Sequence, residues 1–303
     1  MTDKIIKYRI LILALLSLGI ISFIYLSPKI YRKNSTYKVE RKWQINFPQK
    51  VEYIDKLPNS DSLYIFFMAG QSNMAGRGFV EPIDTIPDKR ILTIDKNNSW
   101  IYAKEPLHFY EPSLTGLDCG MSFAKKLLDS IPQGISIAMI PCAVGGSSIE
   151  QWLNNDTFRG VTLLENFKRK VNFVKGYGEI KAVLWHQGES NARSELIPTY
   201  SQKLDSLINV FRTIVENDSL PILIGELGHY AEPKEKQARW DSINWIIHDL
   251  GDNYNITVAS TKDLSHRGDR VHFDSGSQRK LGERLAHKYL ELTMPEHHNI
   301  YKK

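Results

Sequence analysis

The 303-residue sequence is 42% hydrophobic and 24% charged, with two cysteines and a formal net charge of +5. That composition can fill the core of one large domain and excludes collagen-like, disordered and disulfide-dense chains. The positive charge is confined to one end: residues 1–50 hold ten Lys/Arg against Asp3 and Glu40, a net +8, which leaves −3 for residues 51–303. A basic nucleic-acid-binding face is therefore not expected.

Lys4, Lys7 and Arg9 precede an apolar run, Ile10–Leu26, closed by Pro28 and Lys29. A cationic leader before an apolar stretch of bilayer length predicts a membrane anchor or signal segment over residues 1–28. The exit is bulky, Phe23-Ile24-Tyr25-Leu26, without a small-x-small cleavage site, which favours an uncleaved anchor with the remainder outside the cytoplasm; cleaved secretion is the alternative. Residues 29–60 are polar and basic, with Pro48 and Pro58, and are predicted to form a stalk. Residues 61–295 form the expected domain, and 296–303 a tail. Cys119 and Cys142 fall on a predicted helix and a predicted strand end, and are expected to be two separate buried thiols.

Within the domain, Leu63–Met68 is a continuous apolar run bounded by the turn-rich Ala69–Gly78, the pattern of a buried strand. Gly120–Leu128 is predicted helical, with Met121, Phe123, Ala124, Leu127 and Leu128 on one side. Ile135–Ile140 and Lys181–Trp185 are the next strands. Tyr200–Val215 carries Leu204, Leu207, Ile208 and Phe211 at helical spacing. Pro221–Gly225 is a fourth strand, Lys234–Leu250 a helix, Ile256–Ser260 a fifth strand, and Gln278–Leu292 a closing helix. Buried strands alternating with helices imply an α/β fold: three layers, α/β/α, around a central parallel five-stranded sheet.

Active sites of such sheets lie beyond the carboxyl ends of the strands. Gly70–Gly76 follows the first predicted strand, Ala143–Ser148 the second and His186–Asn191 the third, while Asp269–Asp274 precedes the last helix. Nucleophilic acyl transfer needs a hydroxyl, a base, a group that orients the base, and donors for the oxyanion. Ser72 supplies the hydroxyl, His272 the base and Asp269 the carboxylate. The candidate oxyanion donors are the N–H groups of Ser72, Gly145 and Gly146 and the amide of Gln187. Spacing alone does not single out His272, because Asp263-Leu264-Ser265-His266 repeats the Asp-x-x-His pattern. The G-x-S-x-G elbow of α/β-hydrolases is absent, as are G-x-G-x-x-G and H-E-x-x-H, so no cofactor or metal is called for.

At these residues the sequence resembles the SGNH-hydrolase superfamily, with its flavodoxin-like fold. More closely, it resembles the carbohydrate-esterase branch that groups sialate O-acetylesterases with family 6 acetyl xylan esterases. The motifs are Gly70-Gln71-Ser72-Asn73-Met74-Ala75-Gly76, then Gly145-Gly146-Ser147-Ser148-Ile149 with Trp152. Trp185-His186-Gln187-Gly188-Glu189-Ser190-Asn191 follows, and Asp269-Arg270-Val271-His272-Phe273 precedes Leu281–Ala286. The resemblance covers roughly residues 60–292 and selects His272 over His266. It implies a cofactor-independent serine esterase that removes O-acetyl groups from carbohydrates such as xylan, sialic acid or another acetylated glycan.

The resemblance leaves two candidates for the acid that orients His272, Asp269 and Glu189, with loop bracing as the blander role of Glu189. Glu226 is a buried acid expected to be structural. Gln71, Asn73, Trp152 and Arg77 are candidate substrate contacts, Trp152 as a site wall and Arg77 as a ligand for sugar hydroxyls or acidic groups. Two competing functions share these residues: a membrane-tethered glycan-binding protein on an inactive hydrolase scaffold, and a glycan O-acetyltransferase.

Overall fold

The computed structural model describes residues 44–48, 50–251 and 255–294. The chain divides into two units, Met1–Ile45 and Asn46–Lys303, and the fold below belongs to the second. In chain order it comprises β1 (Leu63–Gly70), β2 (Ile91–Ile94), β3 (Trp100–Tyr102), α1 (Gly120–Leu128), β4 (Ser136–Pro141) and α2 (Ile149–Leu153). A small hairpin follows, β5 (Thr157–Phe158) and β6 (Val161–Thr162), then α3 (Leu163–Val174), β7 (Glu179–His186) and α4 (Tyr200–Val215). The chain closes with β8 (Ile222–Gly225), α5 (Lys234–Gly251), β9 (Ile256–Ala259) and α6 (Ser275–Thr293).

β1 sits at the centre of a seven-stranded sheet of order β3-β2-β4-β1-β7-β8-β9. Its residues alternate between two cores, as the pleat requires. Leu63, Ile65, Phe67 and Ala69 face one core with residues of α2, α3, α4 and α5; Phe66 and Met68 face the other with residues of α1 and α6. Both faces are covered, so the run carries no polar alternation. The α/β/α layering expected from the sequence is present.

All five predicted strands form, and the sheet is larger than predicted by β2 and β3. β3 pairs antiparallel with β2, which makes the sheet mixed. β3 is the edge strand, three residues long, and β2 beside it has four. Residues 52–54, assigned to the stalk from sequence, instead border this edge: Tyr53 bridges Ile101, Ile54 N–H donates to Trp100 O at 3.1 Å and Tyr102 N–H to Glu52 O at 3.0 Å. The run Ile10–Leu26 lies outside the described residues, as do residues 29–43 and 295–303. Among the described residues no helix is long and apolar enough to cross a membrane.

β1 is flanked by β4 on one side and β7 on the other, all parallel. The strand order therefore reverses at β1, and the crevice at such a switch point lies at the carboxyl ends of these strands. Helix α6 starts at an Asp274 N-cap, whose carboxylate accepts the Ser277 N–H at 2.7 Å. This fixes where the preceding loop, 266–273, enters the crevice. Cys119 and Cys142 are both free and buried.

Candidate active site

Ser72 lies in the turn that leaves β1. Its Oγ is 3.0 Å from His272 Nε2, although the two residues are 200 positions apart. His272 Nδ1 is 2.7 Å from Asp269 Oδ2, and Asp269 Oδ1 accepts the N–H groups of Val271 at 3.0 Å and His272 at 2.8 Å. Arg267 Nε donates to Asp269 Oδ2 at 2.6 Å. Partial burial works to raise the Asp269 pKa, and the hydrogen bonds from His272 and Arg267 outweigh it, holding the carboxyl well below the usual carboxylate range. The acid therefore stays ionised at neutral pH.

The competing Asp-x-x-His pair is structural. His266 Nδ1 accepts the N–H groups of Gly268 at 2.9 Å and Arg270 at 3.2 Å, while Asp263 pairs with Arg284. His266 thus shapes the loop that aims His272.

Glu189 does not touch His272. Its Oε1 accepts from Asn73 Nδ2 at 2.7 Å, and Asn73 also donates to Val271 O at 3.2 Å and accepts the Phe273 N–H at 3.0 Å. Asn73 therefore ties the nucleophile turn to both neighbours of His272, and Glu189 holds Asn73 from behind. Fully buried, Asn73 is a clamp and not the substrate contact expected from sequence. Gln71 is likewise inward: its Oε1 accepts from Gln187 Nε2 and from Ser190 N–H, both at 3.2 Å.

Two of the expected oxyanion donors are occupied by other partners. Gln187 is fully buried, and its Nε2 is committed to Asn191 Oδ1 at 2.7 Å, Gln71 Oε1 at 3.2 Å and Ser147 O at 3.3 Å. Tyr200 OH donates to Gln187 Oε1 at 3.1 Å. Gln187 braces three loops and has no donor left for a substrate. The Gly145 N–H is also occupied, donating to Glu111 Oε2 at 2.6 Å. Of the expected donors, only the N–H groups of Ser72 and Gly146 have no hydrogen-bond partner among the described residues.

Gly145 is glycine for a reason other than substrate approach. A Cβ there would lie 2.0 Å from Arg77 Nη2 and 2.6 Å from Glu111 Oε2. Arg77 is buried, donating to Gly76 O at 2.7 Å and to Glu111 Oε2 at 2.8 Å, so it is a loop anchor and not a substrate ligand. Trp152 is equally displaced from its expected role. It is fully buried, its Nε1–H donates to Ser147 Oγ at 3.0 Å, and its ring meets Trp185 edge to face at 5.6 Å. It supports the loop from the core and forms no wall.

Sequence reasoning missed Glu111 and Arg159. Glu111 joins Arg77, Arg159 and the Gly145 N–H. Burial works to raise its pKa, and the two guanidinium groups and the Gly145 N–H outweigh it, so the carboxyl is held low. Arg159 and Gly160 are the two turn residues of the β5–β6 hairpin, with φ of 49° and 79°, the geometry of a type I′ turn. Arginine at the first such position costs about 1–3 kcal/mol of strain. Its side chain is 42% exposed, and its Nη2 lies 3.6 Å from where a Gly146 Cβ would be. The hairpin was legible in the dipeptide Arg159-Gly160 between Thr157-Phe158 and Val161-Thr162; the reach of Arg159 to Glu111, 48 positions away, was not. Glu226, expected to be structural, is buried at the end of β8 with Ser260 Oγ at 2.9 Å and Thr261 N–H at 2.7 Å. Among the described residues no group of three or more His, Cys, Asp or Glu is arranged to hold a metal.

Comparisons with known proteins identify a family. A family model described as carbohydrate esterase, sialic acid-specific acetylesterase, matches residues 62–291. A probable carbohydrate esterase of Arabidopsis thaliana is 33% identical over 249 residues, 75% of this chain and 90% of that protein. A crystal structure of an Arabidopsis thaliana protein superposes with a TM-score of 0.67 at 29% identity, covering 77% of this chain and 99% of the other. The crystal structure of NanS has a TM-score of 0.64 at 17% identity, covering 78% and 98%, and speaks for the fold alone. The chain belongs to the carbohydrate esterase family of sialic acid-specific acetylesterases and is a carbohydrate acetylesterase of α/β fold.

Proposed function

We propose that the protein is a serine esterase that removes O-acetyl groups from carbohydrates through an acetyl-serine intermediate. The observation that carries this reading is the chain of contacts Asp269–His272–Ser72, set beside the N–H groups of Ser72 and Gly146, unpaired among the described residues, in the loops that follow β1 and β4. As Ser72 Oγ attacks the acetyl carbonyl carbon, its proton passes to His272 Nε2. The tetrahedral oxyanion accepts the N–H groups of Ser72 and Gly146. Its collapse breaks the bond to the sugar oxygen, which takes the proton from His272. Water then repeats the sequence on the acetyl-serine and releases acetate. Asp269 accepts the Nδ1–H throughout, fixing the tautomer and stabilising the imidazolium. No step calls for a cofactor.

The family description makes O-acetylated sialic acid the first substrate to screen, with acetylated xylan and pectin fragments beside it. With any substrate that is turned over, Ser72→Ala is expected to lose at least ~10³-fold in kcat while its circular-dichroism spectrum is unchanged. Retained acetate release in that variant would overturn the reading, and acetylated sugar appearing in place of acetate would assign transfer to a sugar acceptor. The reading places the activity outside the cytoplasm, following Lys4, Lys7 and Arg9 before Ile10–Leu26. Protease added to spheroplasts should digest the domain; full protection there would contradict this location.

A further inference from the structure

Beside the hairpin that carries Arg159 is a cavity, about 340 Å³ in volume, at the lower end of the size range of small-ligand sites. Lys96, Arg169 and Lys170 line it, and no Asp or Glu does. None of the three forms an ion pair among the described residues. The domain beyond residue 50 is net negative, so three unpaired cations on one concave surface are a local inversion of its charge.

Lys170 is the unusual member. It is only 4% exposed, and a buried ammonium ordinarily has a carboxylate partner. Here it donates to Pro141 O and rests 4.8 and 4.9 Å from the ring centroids of Phe109 and Tyr110. Burial pushes its pKa down to about 8, the response of a cation without a counter-ion. Tyr110 OH donates to Pro141 O at 3.0 Å and accepts from Asn166 Nδ2 at 2.8 Å. The cavity floor is thus a fixed polar surface, with Lys96 and Arg169 exposed above it.

The position of the cavity gives it a purpose. Tyr110 is one residue from Glu111, which holds Gly145, and Gly160, which also lines the cavity, is one residue from Arg159. The cavity therefore shares the 109–111 loop and the hairpin with the proposed oxyanion site. We infer that this cavity is a second carbohydrate subsite, which receives a carboxylate-bearing sugar unit adjoining the acetylated one. This rests on the esterase reading of Ser72 and names its substrate class: an acidic acetylated glycan. Lys96 and Arg169 meet the carboxylate as it enters, Lys170 supplies the buried countercharge, and the aromatic faces and amides take the ring.

Binding of unacetylated trigalacturonate and of neutral xylotriose to the full chain, measured by calorimetry, tests the subsite without using the Ser72 chemistry. Trigalacturonate is expected to bind and xylotriose to bind at least tenfold more weakly. The variant with Lys96→Ala and Arg169→Ala, both exposed positions, is expected to lose about tenfold in affinity for trigalacturonate. Equal binding of the two trisaccharides, an unchanged affinity in the double variant, or displacement of trigalacturonate by equimolar inorganic phosphate would overturn the inference. If the esterase reading failed and the subsite stood, trigalacturonate would bind with no acetate released from any acetylated sugar. If only the subsite failed, acetate release would continue with no preference for acidic glycans.

Discussion

Two acidic side chains stand within reach of the nucleophile turn, and their contacts separate their work. Asp269 meets His272 directly at 2.7 Å, whereas Glu189 meets Asn73. Asp269→Asn should lower kcat by roughly 10³–10⁴, because an amide no longer holds the required imidazole tautomer. Glu189→Gln, which can still accept from Asn73, should lose less than about tenfold. Equal losses in the two variants, read from acetate release, would contradict this division of roles. Glu111 acts through the backbone: Glu111→Gln removes the charge that holds Arg77, Arg159 and Gly145 together, and a loss of about 10² in kcat at little-changed KM is expected if Gly146 supplies an oxyanion donor. A raised KM with unchanged kcat would assign the network to binding instead. The residues that the fold joins in one hydrogen-bonded chain, Ser72, Asp269 and His272, were legible as candidates because they sit at strand ends or before the last helix, and the family resemblance was needed to choose His272 over His266. The inward roles of Arg77, Gly145, Gln187 and Trp152 were not, because each depends on a partner that only the fold brings near, such as Glu111 for Arg77 and Gly145.

The helices position these residues from outside the crevice. α2 begins with a capping box in which Ser148 Oγ accepts the Gln151 N–H and Gln151 Oε1 accepts the Ser148 N–H at 2.9 Å. That short helix carries Trp152 into the core beneath the Gly145-Gly146 loop. Trp152→Ala should therefore cost about 3–5 kcal/mol of stability. Urea denaturation checks this, and a stable variant with a raised KM would restore Trp152 to the site wall. Asp274→Ala, at the N-cap of α6, should cost about 1 kcal/mol. Elements with long periodic or continuous apolar runs, such as β1 and α4, could be read directly. β2, β3 and α2 were not read, although the equally short β8 and β9 were: Thr93 interrupts the apolar run of β2, and β3 and α2 take their form from a pairing strand and a capping box.

Across the molecule, acid stability follows from carboxylates held ionised by the fold. Burial works to raise the Glu226 pKa and is outweighed by the nearby His229 and by hydrogen bonds from His248, Thr261 and Ser260, which push it down to about 2. An unfolded Glu titrates near 4.3. The folded value lies below the unfolded one, so this stabilisation is complete above pH ~4.3 and disappears as pH falls toward 2. Asp269 acts in the same direction. The melting temperature should fall as pH drops through that window, and Glu226→Gln should flatten the fall; an unchanged slope would show that other groups control it. The net +5 of the chain is silent about this and about substrate alike, since the acidic domain is locally basic around Arg159 and Lys170.

The central claim is that Ser72 Oγ is the atom that takes the acyl group. Labelling with a fluorophosphonate followed by peptide mass spectrometry tests it most directly. A single adduct on the peptide containing Ser72, lost in Ser72→Ala and strongly slowed in a His272→Ala variant, is the expected result. No adduct on the folded protein, or an adduct that persists in Ser72→Ala, would contradict it.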